Sequence, residues 1–600
     1  MWNKTLAWLN DRTGYRRLRG LLGQRVLPEG PSWARTTAAC VLWLLLVELA
    51  TGLLLMTMYS PSMASAWASI FYLEQLPGGA FLRGLHYFGG QALIIAFAVH
   101  AIRVLLSGAY RAPRELVWVT GLMLIPPIIV WAVTGNPLSA TQKGVAQIDV
   151  EGNIVASTPV VGPVAREILI GGDQVGNLTI THLYFLHVAL LPIVVVLLTM
   201  VHVWQLYRNS PVRLDENSDQ AVPYWPYQSA RNAFVCSIVL AVVALLAWRY
   251  GAPLDAPADP GIDYIPRPEW YFLCLFELRR YFTGDWEFIA TQVIPALVLL
   301  LLLVMPLVEW LLPRRASATV RYLVVIAGVV AWAGLTFVSL VRDRDDAKFQ
   351  ASRQEADELA RRARVLAVRG VPPQGAVALL RHDPKTRGRQ LFAQHCASCH
   401  PWTDGEGHGI ACEDPTAPNL YGFASRTWVA DVLDPDKFAS ARLFGKTKHR
   451  DGDMADGVTD DFEEAQIPLV VAALSAEAQL PSQVDIDKSD ALKITEGRKL
   501  MQNEDEGCVQ CHVYHGVGDE GTAPDLTRYG SRRWLINFIR NPASPRFYGD
   551  ENDRMPSFAE HPVGSKENQL DVASIELIAR WLRGEWFEPS GDEESEQPGS

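Results

Sequence analysis

Two stretches of the chain join a pair of thiols to an imidazole: Cys396-Ala397-Ser398-Cys399-His400 and Cys508-Val509-Gln510-Cys511-His512. Cysteines at this spacing reach both vinyl groups of a porphyrin, and the histidine that follows offers a ligand to the iron from one face. Each Cys pair taken alone also suits zinc or a disulfide; the histidine after both pairs favours two covalently attached c-type haems. Four further histidines lie in apolar surroundings, His86 and His100 fourteen residues apart, His187 and His202 fifteen apart. At about 100° per residue each pair falls on one face of a helix, with roughly 21 Å between its two levels. Two antiparallel helices so equipped make two bis-imidazole sites, His86 with His187 and His100 with His202, in a bundle core that admits a flat apolar cofactor. A hydrogen-bonded core histidine is the plain alternative for any one of them. Four at matched spacing point to two b-type haems.

These residues need a frame. Apolar residues make up 49% of the 600 and charged residues 20%, a balance that points to a membrane. Runs of about 20 apolar residues, enough to cross a bilayer as a helix, occur at 36–59, 84–107, 115–134, 182–206, 232–250, 288–312 and 319–341. The pattern predicts an all-α fold, with a seven-helix transmembrane bundle followed by two small helical domains. Residues 1–341 hold 23 Lys+Arg against 20 Asp+Glu, residues 342–600 hold 31 against 45, so two different materials are joined end to end. The basic residues gather in the N-terminal segment, at Arg12, Arg16, Arg17, Arg19, Arg25 and Arg35, and in the loops on the same side, which puts the N-terminus in the cytoplasm. An odd number of spans then delivers residue 342 onward to the positive, periplasmic-type side of a bacterial-type inner membrane. Residues 1–35 show no cleavable signal pattern, so the first span is expected to direct insertion.

The C-terminal part repeats itself. Gly388-Arg389-Gln390-Leu391-Phe392 matches Gly497-Arg498-Lys499-Leu500-Met501 ahead of the two Cys-His motifs. Ala417-Pro418-Asn419-Leu420 matches Ala523-Pro524-Asp525-Leu526, and Ser425-Arg426-Thr427-Trp428 matches Ser531-Arg532-Arg533-Trp534, behind them. Two copies of one fold are expected, at 386–482 and 483–586. Residues 342–385 read as a solvated helix and linker, and 587–600 as an acidic tail.

The order of elements in 1–341 resembles the cytochrome b family of Rieske/cytochrome bc complexes. Its histidine spacing, the run Pro113-Arg114-Glu115-Leu116 and the helix count are similar to the plastid-type branch with its subunit IV. The halves would be a four-helix haem domain, 1–210, and a subunit IV-like domain, 211–341. The resemblance implies haem-packing or propionate-facing roles for Thr51-Gly52, Arg83, Gly89-Gly90, Arg103, Gly121 and Gly135. It makes Pro268-Glu269-Trp270-Tyr271 the quinol-oxidising pocket, with Glu269 as proton acceptor, covered by short helices in 136–178 that include Val161-Gly162-Pro163. A carboxyl group on a loop between apolar walls is suited to relaying a proton. His182 stands where the family has Arg, and Leu138-Ser139-Ala140-Thr141-Gln142 lacks the family's Trp-Asp. Thr36 occupies the position of a cysteine that tethers an extra haem in plastid-type relatives, so that haem is expected to be absent and Cys40 to be ordinary packing. Glu48 is either a bonded core residue or part of a proton path to a cytoplasmic quinone site. Cys412 is left without a role.

The repeated part resembles class I cytochrome c domains, in which a Met on a loop closes the far side of the iron. Met555, followed by Pro556, fits that role in the second copy, and Met454 in the first, with His449 as its rival. The whole implies a quinol–cytochrome c reductase subunit with quinol as substrate, working in a dimeric complex with a separate Rieske iron–sulfur protein, since the spare cysteines are isolated in sequence. A soluble or membrane-bound cytochrome c is the expected acceptor, lipid the surroundings, and no nucleic acid is expected. Reverse flow from a periplasmic donor into quinone and a non-enzymatic electron wire are the alternatives.

Overall fold

The computed structural model describes residues 2–13, 26–27, 30–208, 222–520 and 523–589. They divide into two compact units, one ending at Val377 and the other beginning at Ala378. Arg16, Arg17, Arg19 and Arg25, and the acidic tail from residue 590, lie outside the described residues. Both units are helical, and the strands among the described residues are two-residue pairs.

Among the described residues of the first unit six helices are long and apolar enough to cross a membrane: α1 (Trp33–Met56), α2 (Gly79–Ser107), α3 (Glu115–Ser139), α4 (Asn177–Arg208), α5 (Tyr227–Tyr250) and α7 (Arg314–Asp345). A seventh, α6, is the pair Ile289–Leu303 and Met305–Leu311, bent by 43°, if the pair is one span. Each lies where an apolar run predicts a helix. Large apolar side chains such as Leu53, Ile193, Leu197, Trp248 and Phe337 face outward, as a lipid environment demands and water would not. Helix α2 stops at Gly108, whose left-handed backbone (φ 62°) turns its N–H back to Leu105 and Val104, a glycine-dependent C-terminal cap.

Helix α4 is interrupted by one π-helical turn, Leu186–Leu190, which contains His187. A π turn absorbs one extra residue without changing the path of the helix. The fifteen-residue gap from His187 to His202 is thereby brought into step with the fourteen-residue gap on α2.

Helix α5 packs on α1 and α2, with buried Cys236 at 3.8 Å from buried Cys40, sulfur to sulfur. At one end of α7, Glu309 of α6 accepts from Arg321 (2.6 Å), Arg111 (2.8 Å), Ser317 (2.9 Å) and Tyr110 (3.1 Å). At the other end, Asp343 pairs with Arg267 and Arg342 with Glu277. Much of the stretch read as linker is docked on this unit: Ala347–Ala367 is helical, Arg364 bonds the carbonyl of Leu254 (3.1 Å) and the N–H of Val371 bonds the Tyr72 hydroxyl (3.0 Å).

In the second unit the repeat is visible bond by bond. Ser425 caps the helix Arg426–Val432, and Ser531 caps Arg532–Arg540. Trp428 donates to the carbonyl of Asn419 (3.1 Å), Trp534 to that of Asp525 (2.7 Å). The copies nevertheless do not close on themselves. The helix that opens the first copy, Arg389–His395, packs with its preceding turn against the last helix of the second copy, Val572–Leu582. The opening helix of the second copy, Ala491–Met501, packs against Ile467–Glu477 of the first. The contacts are close: a Cβ on Gly388 would strike the Leu577 carbonyl and Trp581, and one on Gly497 would strike the Leu469 carbonyl and Ala473.

The Glu309 cluster generates a prediction. Glu309→Ala strands the buried Arg321 without its carboxylate, at a cost on the order of 3 kcal/mol, and should lower the thermal midpoint of the purified protein. The double variant Glu309→Leu with Arg321→Leu should recover most of that loss; a double variant no more stable than the single one would contradict it.

Candidate haem and quinol sites

Each of the four membrane histidines meets a threonine from the neighbouring helix. His86 Nδ1 lies 2.9 Å from Thr51 Oγ1, His100 Nδ1 3.1 Å from Thr37, His202 Nδ1 3.2 Å from Thr120 and His187 Nδ1 3.3 Å from Thr134. All four hydroxyls donate to carbonyls of their own helix, at Val47, Ala34, Leu116 and Trp131. Their lone pairs are thus left to accept a proton from the imidazole. His187 is fixed a second way, because its Nδ1 also lies 2.9 Å from the Trp131 carbonyl, which only accepts. Neutral imidazoles protonated at Nδ1 present Nε2 as a free metal ligand.

Beside three of these rings stands a glycine, directly after the threonine in sequence. A Cβ on Gly52 would come within 3.2 Å of His86 Cε1, one on Gly121 within 3.3 Å of His202 and one on Gly135 within 2.7 Å of His187. Thr37 is instead followed by Ala38. Threonines 37 and 51, histidines 86 and 100, and threonines 120 and 134 all keep the same fourteen-residue interval, so α1 serves the histidines of α2 and α3 those of α4 at both depths.

The His86 and His187 rings lie with centroids 6.1 Å apart and planes nearly perpendicular, at 84°. That is room for one metal atom, given metal–imidazole bonds of about 2 Å and a ring radius on either side. The donor set, tautomers and close glycines therefore fit a bis-histidine haem. Glu48 sits at the same depth, with Oε2 3.1 Å from His86 Nδ1 and Oε1 buried without a hydrogen bond. This puts it beside the His86/His187 level rather than on a route to the His100/His202 end. Arg83, implied to face a propionate, is held by Glu74 and the carbonyls of Ala252 and Pro253. Arg103 donates to the Ala34 carbonyl (2.9 Å).

One cavity of about 560 Å³ is lined by His86, His187 and Gly52 and also by Glu269, Tyr271 and Lys143. Glu269 is buried and its Oε1 is 3.0 Å from the ammonium of Lys143 and 3.2 Å from Asn136 Nδ2. Burial draws the Lys143 ammonium down, but the Glu269 carboxylate outweighs it and the net shift is upward. Lys143 directly follows the run that departs from the family pattern, so a charge stands beside Glu269 at that point. Asn136 also bonds Gln147 (3.2 Å), and Gln147 bonds Glu151 (2.7 Å), whose carboxyl is pushed up to about 7 by burial. Burial likewise pushes the Tyr271 phenol well up, with the Glu269 charge adding to it. Trp270 points its indole N–H at Gln91 (2.7 Å), and Pro268 precedes the buried carboxylate. His182 packs over Gly171, its Nδ1 buried without a hydrogen bond. Thr36 bonds the Trp33 carbonyl (2.7 Å).

In the second unit the Nδ1 atoms of His400 and His512 lie 2.8 and 2.7 Å from the carbonyls of Pro418 and Pro524, the residues that the two Ala-Pro motifs supply. Burial lowers the proton affinity of both imidazoles, and the carbonyls fix the tautomer that leaves Nε2 free. These sites fit c-type haem. Met555 joins the apolar cluster of Phe392, Cys396 and Ala397, and Met454 the one holding Met501, Cys508 and Val509. The cause is the exchange of helices between the copies. The rival His449 stacks its ring on Tyr548, 5.1 Å between centroids. Cys412 Sγ lies 3.3 Å from the Ser398 carbonyl, within the first motif.

A membrane bundle with paired imidazoles at two depths, joined to a unit with two thiol-and-imidazole motifs, is an electron-transfer membrane protein of the cytochrome class. The family described as "Cytochrome b(N-terminal)/b6/petB" matches residues 91–257, and "Cytochrome c" matches 386–472. Cytochrome b of Cereibacter sphaeroides is 30% identical over 315 residues, 47% of this chain and 70% of that one. Cytochrome b6 of a Synechocystis species is 28% identical over 201 residues, 33% of this chain and 90% of that one. A solved chain titled "Hyperthermophilic respiratory Complex III" aligns with 56% of this chain and 99% of its own at 20% identity and a TM-score of 0.47. The chain belongs to the cytochrome b family and carries a cytochrome c domain fused behind it.

Two predictions follow from the geometry. Gly135→Val drives a side chain into the His187 ring and should remove about half of the b-type absorbance while leaving the c-type absorbance intact, since an iron site that loses one imidazole does not keep its porphyrin; unchanged pyridine haemochrome ratios would refute it. Glu48→Gln weakens the acceptor on His86 Nδ1, so the imidazole gives less charge to the iron. In a potentiometric titration one b component should move to higher potential and the other stay in place.

Proposed function

We propose that the protein is the membrane subunit of a quinol:cytochrome c oxidoreductase of the bc type, which oxidises quinol on the positive side and couples this to proton translocation. Two b haems, between His86 and His187 and between His100 and His202, and two c haems, at Cys396/Cys399 and Cys508/Cys511, would be its cofactors. When bound, they supply one-electron redox chemistry at two depths in the membrane and in the second unit. A single observation carries the reading: the Glu269 carboxyl and the His86/His187 pair open onto the same cavity. A plain electron wire has no use for a buried carboxyl there.

The side chains divide the work of deprotonating quinol. Tyr271, its phenol kept protonated by burial, serves as a hydrogen-bond donor to the ring oxygen, and the apolar walls of the cavity exclude bulk water. Glu269 accepts the hydroxyl proton. Lys143 and Asn136 hold its carboxyl in place through an ion pair and a hydrogen bond. Asn136 and Gln147 tie this carboxyl by hydrogen bonds to Glu151, whose own carboxyl is pushed up to about 7 by burial; the amides position the two groups and carry no proton themselves.

With α6 counted as one span, seven spans put the second unit across the membrane from the N-terminus, where c-type haems are attached. The expected assembly is a dimer with a separate Rieske iron–sulfur protein, and a cytochrome c takes the electrons away. Glu269→Gln tests the reading, since it removes the proton acceptor with little change of shape. Quinol oxidation by the purified complex should fall on the order of 10²-fold or more with haem spectra unchanged; wild-type turnover would exclude Glu269 as the acceptor.

A further inference from the structure

We propose that the two c haems are built from exchanged halves of the repeat. The haem attached at Cys396 and Cys399 takes its sixth ligand from Met555 of the second copy, and the haem at Cys508 and Cys511 takes its from Met454 of the first. The inference rests on the c-type reading of both Cys-His motifs and goes beyond it.

Three sets of contacts, each occurring twice or tying the copies together, carry the proposal. The first is the crossing of terminal helices. Gly388 of the first copy meets Leu577 and Trp581 of the second, and Gly497 of the second meets Leu469 and Ala473 of the first. In both cases the glycine lets two backbones approach where a side chain would hold them apart, so the crossings are specific. The second is the distribution of the methionines. Met555 shares a cluster with Leu391, Phe392, Cys396 and Ala397, and Met454 shares a different one with Met501, Cys508, Val509 and Leu526. The third is a set of polar ties at the helix ends. Buried Glu477, closing the last helix of the first copy, accepts from Arg498 (3.0 Å), the Tyr514 hydroxyl (3.1 Å) and the Arg528 N–H (3.0 Å), all of the second. Buried Arg583, just past the last helix of the second copy, donates to the carbonyls of Ala478 (2.6 Å) and Gln479 (3.2 Å) of the first.

The Met-bearing loops also touch each other, through His449 on Tyr548 and through Lys448 with Glu551 (2.9 Å). His449 thereby stacks on a ring of the other copy. Sequence order pairs each Met with the Cys-His motif before it. The packing exchanges them.

The experiment uses the full chain with one attachment site removed at a time. In Cys508→Ala/Cys511→Ala the remaining haem is the one at the first motif, and its ferric state should show the charge-transfer band of methionine ligation. Adding Met555→Ala should abolish that band, and adding Met454→Ala should leave it. In Cys396→Ala/Cys399→Ala the dependence should be reversed. A band lost with Met454→Ala in the first background would overturn the proposal and restore pairing within each copy. Absence of covalently bound haem from the unsubstituted chain, read by mass, would instead overturn the c-type reading itself. Should the one-haem chains fail to accumulate, zero-length cross-linking of the unsubstituted protein tests the same exchange, because Lys385 pairs with Glu588. A Lys385–Glu588 linked peptide supports the exchange, and a link from Lys385 to Asp485 or Asp487 overturns it.

Discussion

An imidazole binds iron predictably only when its second nitrogen is already spoken for. In this bundle that condition is met four times by the same device, a threonine hydroxyl that spends its proton on its own helix and turns a lone pair to the histidine of the next. The rest of the membrane unit can be read as the consequence. Helices α1 and α3 must bring a threonine to each of two depths, so they share the fourteen-residue interval of α2. Helix α4 must match it with one residue too many, and the π turn at His187 takes up the excess. Where the ring stands closest, the residue after the threonine has no side chain.

Much of this could be read from the sequence. The four histidines, the apolar runs, the Pro268 to Tyr271 motif and both Cys-His motifs are local patterns, and the apolar runs lie in helices as their length predicted. What escaped notice depends on which surfaces meet. Thr37, Thr120 and Thr134 are unremarked as residue types, and Thr51 is marked out only by its place beside Gly52, because a threonine in an apolar helix usually bonds only its own backbone. Only the neighbouring helix reveals the second bond. Lys143 and Glu48 became part of a site for the same reason. Their partners, Glu269 and His86, are 126 and 38 residues away in the chain. The repeat was plain to see, but its two copies present the same faces to each other, so nothing in the residues said which opening helix would find which closing one.

The quinol cavity shows how a departure from a family pattern can be conservative in effect. The run Leu138 to Gln142 holds no acidic residue, and Lys143 directly after it stands within reach of Glu269. A buried carboxylate needs a charged or hydrogen-bonding counterpart. Lys143 supplies one from the lid, and the amides of Asn136 and Gln147 connect that carboxyl to the rim at Glu151.

The interleaving of the two repeats has a bearing on how the protein comes into being. Chains are made and exported from one end, and the opening helix of the first repeat leaves the ribosome long before residues 572–582, its packing partner. Until then it has no closed core to join, and any iron held by His400 has its other face open to whatever is dissolved nearby. The second repeat's opening helix meets its partner at once, because Ile467–Glu477 has already been made. Assembly therefore has an order in time, with the centre of the unit closing first and its two ends last.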